Sequence, residues 1–202
     1  MVTTARDDAA GDLRPAVMPA LISEDWGKTA EGGFLARHDQ LMTAAAEESG
    51  QGSPGVPAPH AARMAMARFL IGHGLAFEAI GVLNAAGRAD QTLMGDAEFR
   101  GLRGAARVMA GRYKEAEGDF SVPILSDDPS SALWRGYIAA KAGAWEDARA
   151  RFREGQRAVG HVPALWNARF ARADAEAALS LGDYVAAQNR IADALAQPIA
   201  VE

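Results

Sequence analysis

The sequence predicts an all-helical protein: about four antiparallel helix pairs in series, with one further helix in front of them. Two observations carry this. First, one short pattern returns four times, as Gly74-Leu-Ala-Phe-Glu-Ala79, Gly111-Arg-Tyr-Lys-Glu-Ala116, Gly143-Ala-Trp-Glu-Asp-Ala148 and Gly182-Asp-Tyr-Val-Ala-Ala187. Its closing alanines stand 37, 32 and 39 residues apart, a period that points to stacked supersecondary units rather than one closed globule. Second, alanine is abundant and aromatics make up only 7% of the 202 residues. Alanine is the best helix former.

Composition narrows the function. The net charge of −5 argues against nucleic acid, because phosphate neutralisation needs a basic surface. The absence of cysteine removes disulfides, thiolate metal sites and cysteine nucleophiles. No stretch is long and apolar enough to insert in a membrane, and the start lacks the apolar core of a secretory signal. The chain is expected in the cytoplasm if Met1 is native; otherwise the parent protein sets its compartment.

Residues 1–32 read as an extended or mobile segment, with Leu21, Ile22 and Trp26 as docking points. Residues 33–58 hold an amphipathic cap helix and a linker. In the helix, Phe34, Leu35, His38, Leu41, Met42 and Ala45 form a stripe that Ser49 and Gly50 end. The linker has three prolines and three glycines between Gly50 and Pro59, which no helix interior tolerates. The repeat domain fills 59–202. Its first pair runs from Pro59 to His73 and from Leu75 to Ala86. The second opens on Asp96 as N-cap, reaches Ala110 and returns from Arg112 to about Ser121, cut short by Pro123. Asp128 and Pro129 open the third pair, which runs to Ala142 and then from Ala144 to Val159. Pro163 opens the fourth, which turns at Gly182 and closes before Pro198.

The motif has a packing logic. Its glycine lets the chain reverse tightly between two helices. The aromatic that follows (Tyr113, Trp145, Tyr184) fills the wedge between them, and the alanine sits where they touch. Leu83, Phe120, Phe152 and Ile191 fall one turn further on the alanine's face. Upstream, Gly104 and Gly136 remove a side chain from a close crossing, with Ala67 and Ala175 in the matching places of the outer copies.

The run from Leu102-Arg-Gly104 to Phe120, and the similar run from Trp134-Arg-Gly136 to Phe152, resemble a common bacterial variant of the tetratricopeptide repeat. The resemblance covers about residues 59–197. It departs from that family in its uneven period, in lacking the usual tryptophan before the Leu-Gly slot, and in its degenerate outer copies. It implies a right-handed superhelix whose first-of-pair helices line a concave groove, and binding of a protein or peptide without catalysis.

With that geometry the groove is lined by Met64, Arg68, Ile71, Met109, Tyr137, Lys141, Arg169, Arg172 and Glu176. Such a mixed apolar and cationic lining suits a peptide with hydrophobic anchors and acidic groups. Met64 and Met109 read equally as core filler. Arg100, Arg103 and Arg107 share one helix face; pairing with Glu115, Glu117 or Asp119 explains them more simply than an anion clamp. Arg149, Arg153 and Arg157 read as a solvated outer face, and Asp127-Asp128 as a cap rather than a metal pair. The four histidines form no metal-ligand spacing, and no catalytic, cofactor-binding or metal site is expected. A rival reading makes the chain part of a larger protein, a spacer or self-association segment. Ile191, Leu195 and Ile199 would leave the last helix apolar and uncovered, open to a homodimer.

Overall fold

Capping carboxylates and turn glycines set the boundaries of the helices. The computed structural model describes residues 18–29, 32–52 and 59–198. Among them are nine α-helices and no strand. Helix α1 is Gly33–Ser49, and four pairs follow: α2 (Ala61–Gly72) with α3 (Ala76–Ala89), α4 (Ala97–Met109) with α5 (Tyr113–Phe120), α6 (Pro129–Lys141) with α7 (Trp145–Glu154), and α8 (Ala164–Ser180) with α9 (Tyr184–Leu195). Most of the Pro/Gly-rich linker, residues 53–58, lies outside the described residues.

The same turn joins the helices of every pair. Gly74, Gly111, Gly143 and Gly182 have φ of 73°, 74°, 74° and 77°, a left-handed conformation that only glycine adopts without strain. In each turn the next residue's N–H reaches back over the glycine to a carbonyl five residues earlier. Leu75 bonds Leu70 at 2.9 Å, Arg112 bonds Arg107 at 2.8 Å, Ala144 bonds Ala139 at 2.9 Å and Asp183 bonds Ala178 at 2.9 Å. This is the Schellman arrangement, which satisfies the last carbonyls of the first helix. At the other ends, Asp96 accepts from the Phe99 N–H at 2.7 Å, and the Asp128 carboxylate accepts from Ser130 and Ser131. Glu48 of α1 accepts from the Ala62 and Arg63 N–H groups at 2.9 and 3.2 Å, so α1 caps α2 from across the linker.

Within pairs, the closing alanines Ala79, Ala116, Ala148 and Ala187 are all buried. Between pairs, α3 packs on α4, α5 on α6 and α7 on α8, while α2, α4, α6 and α8 also touch in succession. Gly104 and Gly136 lie at the close crossings: a Cβ on Gly104 would stand 2.5 Å from Phe120 Cζ, and one on Gly136 3.1 Å from Phe152.

Three expectations need correction. Tyr113 and Trp145 pack against the core, but Tyr184 is 72% exposed because no further pair follows to cover α9. Helix α7 stops at Glu154 and continues as a 3-10 helix, Gly155–His161, where Gly155 runs so close that its Cβ would meet Leu133 Cδ2 at 2.6 Å. Arg149 is no solvated surface group: it donates to Asp174 at 2.6 Å. Of the segment read as extended or mobile, the described residues 18–29 form no α-helix; Ala20 and Ile22 are buried and Met18 and Trp26 pack on the core, while Glu24, Asp25, Lys28 and Thr29 are exposed.

Candidate functional site

The best-defined site lies where residues 18–28 cross the first helices of the pairs. Proline, small residues and a short 3-10 helix, Glu24–Gly27, keep this stretch from forming an α-helix of its own. Its backbone polar groups therefore need partners elsewhere, and α6 supplies them. The Ala20 N–H donates to Ser130 Oγ at 3.2 Å, and the Ala20 carbonyl accepts from the Trp134 indole N–H at 2.8 Å. Gly101 of α4 gives the room: a Cβ there would fall 2.5 Å from the Pro19 carbonyl oxygen. Further on, Glu24 accepts from the Ala164 N–H at the start of α8, at 3.2 Å, where the helix dipole favours a carboxylate. The strap ends against α2, where a Cβ on Gly72 would meet the Gly27 nitrogen and Trp26 at 2.5 Å.

Beside the strap opens a cavity of about 740 Å³. Ile71 and Gly72 of α2, Met109 of α4, Leu165, Trp166 and Arg169 of α8, and Ile22, Glu24 and Trp26 of the strap line it, with Pro198 at its edge. Its apolar walls would hold a hydrophobic side chain. Arg169 is its cationic group, with the guanidinium carbon 4.6 Å above the Trp166 ring, a cation–π contact that orients the fork.

The nine expected lining residues divide. Ile71, Met109 and Arg169 line the cavity together. Tyr137 backs it, half-buried, with its ring 5.9 Å from that of Trp166, and the Lys141 ammonium lies 5.1 Å over Tyr137. Met64 is core. Arg68 is engaged with Glu98 through Nε at 3.0 Å. Arg172 and Glu176 are exposed on later turns of α8, away from the cavity.

Trp166 was missed, although it stands three residues before Arg169 and hence on the same helix face. Glu24 carried no sequence signal, because its partner is the backbone of a residue far along the chain. The Arg100, Arg103 and Arg107 group closes on the buried carboxylate of Asp119, at 3.2, 2.6 and 2.5 Å. Burial pulls the Arg100 guanidinium below its ordinary value, against the pull of Asp119. That set is a structural ion cluster. Comparison with protein-family models, curated proteins and solved structures finds no match to this chain.

Proposed function

We propose that the chain is a non-catalytic interaction module of the tetratricopeptide kind. In this reading the four pairs form a right-handed superhelix, and its concave face takes an extended segment of a partner protein. The observation that carries the reading is the treatment of Ala20: side chains of one helix hold both its N–H and its carbonyl, as a receptor holds an extended peptide backbone. The cavity beside it adds apolar walls and one cation, which suit a peptide with a hydrophobic anchor and an acidic group.

Panning a displayed library of random peptides on the full chain tests this. Enriched peptides should combine an apolar and an acidic residue and lose binding to Arg169→Glu. Enrichment of no peptide, or peptides indifferent to Arg169→Glu, would sink the groove reading.

The exposed apolar face of α9 favours a second reading, a spacer or self-association segment. Tyr184, Val185, Ile191 and Leu195 are 72%, 73%, 43% and 81% exposed, whereas the second helices of the earlier pairs are covered by the next pair. Ile199 lies outside the described residues. Light scattering over a concentration series should then show dimers that Leu195→Glu dissolves; a strict monomer ends this reading.

A further inference from the structure

Residues 18–27 do not merely cover the face of the first helices; they are bound to it as a ligand would be. The contacts are specific and spaced. Ala20 is held on both backbone groups by Ser130 and Trp134, in a slot that only a glycine at 101 leaves open. Ile22 is buried two residues on. The Glu24 carboxylate sits on the free N–H of Ala164 two residues after that. Buried backbone groups need partners in any strap; what sets this one apart is that side chains of a single helix supply both, as in peptide capture, with the Glu24 carboxylate placed on a helix start beyond them. We propose that this strap is a displaceable intramolecular ligand. The site beneath it recognises an extended partner segment of the same chemistry: a small residue, an aliphatic residue two positions on, and a carboxylate two further.

This inference rests on the interaction-module reading and adds to it the occupant and its control. Because the strap belongs to the same chain as its site, it competes at an effective concentration on the order of millimolar. A free segment with the same pattern therefore sees only the small fraction of molecules whose strap is open, and its apparent affinity falls by that fraction. Releasing the strap should restore it. The site would be shut by default and opened by a partner that binds more tightly or that takes hold of the strap itself.

A fluorescein-labelled synthetic peptide of residues 18–29, titrated into the full chain and followed by anisotropy, tests this. Ala20→Asp places a carboxylate in the buried slot, and Glu24→Lys removes the hold on α8; either should release the strap. The peptide should bind these variants at least about ten-fold more tightly than the unaltered chain, and adding Gly101→Leu should abolish that binding. Equal affinity for the unaltered chain and the variants, or no binding to folded variants, overturns the proposal. If neither variant folds, hydrogen exchange on the unaltered chain decides. Amides of residues 20–24 must open without α4 and α6; exchange only through global unfolding would make the strap a fixed part of the core. Library peptides indifferent to strap release would sink this inference and leave the interaction reading standing.

Discussion

The indole N–H of Trp134 donates to the carbonyl of Ala20 at 2.8 Å, joining residues 114 positions apart. Trp134 is itself buried between Phe120, whose ring is nearly parallel to it, and Trp166 and Phe170 on α8. One side chain thus ties the strap to the shared core of three successive pairs.

Trp134→Phe keeps most of the apolar volume and removes the donor. The buried Ala20 carbonyl then loses that partner, and leaving such a group unsatisfied costs about 1–3 kcal/mol. Urea unfolding should show a loss of that order, with hydrogen exchange at residues 20–24 rising more than in α4 or α6. An unchanged exchange pattern would mean that Ser130 and Gly101 hold the strap without the indole.

Gly104 and Gly136 occupy equivalent places but differ in clearance. A methyl group on Gly104 would meet Phe120 ring atoms at 2.5 and 2.8 Å, and one on Gly136 would meet Phe152 at 3.1 Å. Gly104→Ala should therefore destabilise by about 1–3 kcal/mol, the usual cost of overpacking. At Gly136 the gain of about 1 kcal/mol in helix propensity opposes a small adjustment of the Phe152 ring, so Gly136→Ala should be close to neutral. Denaturation midpoints of the two variants check the order, and the reverse order would contradict the packing described.

What the sequence disclosed and what it hid divide along physical lines. The glycine turns, the Asp96 and Asp128 caps and the alanine contacts depend on neighbours within a few residues, so periodicity and capping chemistry expose them. The cap of α2 by Glu48 and the seat of Ala20 on Ser130 and Trp134 join residues far apart, and no local pattern encodes them. The expected groove residues divide for the same reason: Ile71, Met109 and Arg169 line the cavity, and others do not. Helical register assigned Met64 and Arg68 to the lining, but whether such a side chain faces a cavity, the core or a carboxylate such as Glu98 depends on the next pair. Leu21, Ile22 and Trp26 could be marked as docking points by their apolar character alone; where they dock could not.

Asp119 is fully buried beneath three guanidiniums, while Glu115, which also faces Arg107, is half-exposed. Asp119→Asn leaves Arg100 and Arg103 without a counter-charge and Arg107 with only the half-exposed Glu115, and removing one partner of such a buried pair costs about 3–5 kcal/mol. Glu115→Gln should cost under about 1 kcal/mol, as for exposed pairs generally. Urea titrations at low and high salt separate the two, since screening weakens the exposed pair far more than the buried one. Equal effects would place Asp119 in contact with solvent.

Asp174 of α8 makes the stability of the fold depend on pH. Burial raises its carboxyl above the ordinary range, while the hydrogen bond and charge of Arg149, and the charges of Arg190 and Arg153, pull it back only in part. The folded value therefore lies above the unfolded value of ~3.9. With that sign, the group's contribution to stability is fully present below the unfolded value and is lost as pH rises through the folded one. Asp174→Asn cannot titrate, and every other carboxylate is common to both chains. The unaltered protein should thus lose stability relative to Asp174→Asn as pH rises from below about 4 toward about 7. Urea midpoints across that range measure it. A relative gain in stability by the unaltered protein toward neutral pH would mean that the attraction of Arg149 at 2.6 Å and Arg190 at 3.8 Å outweighs the cost of burying the carboxylate.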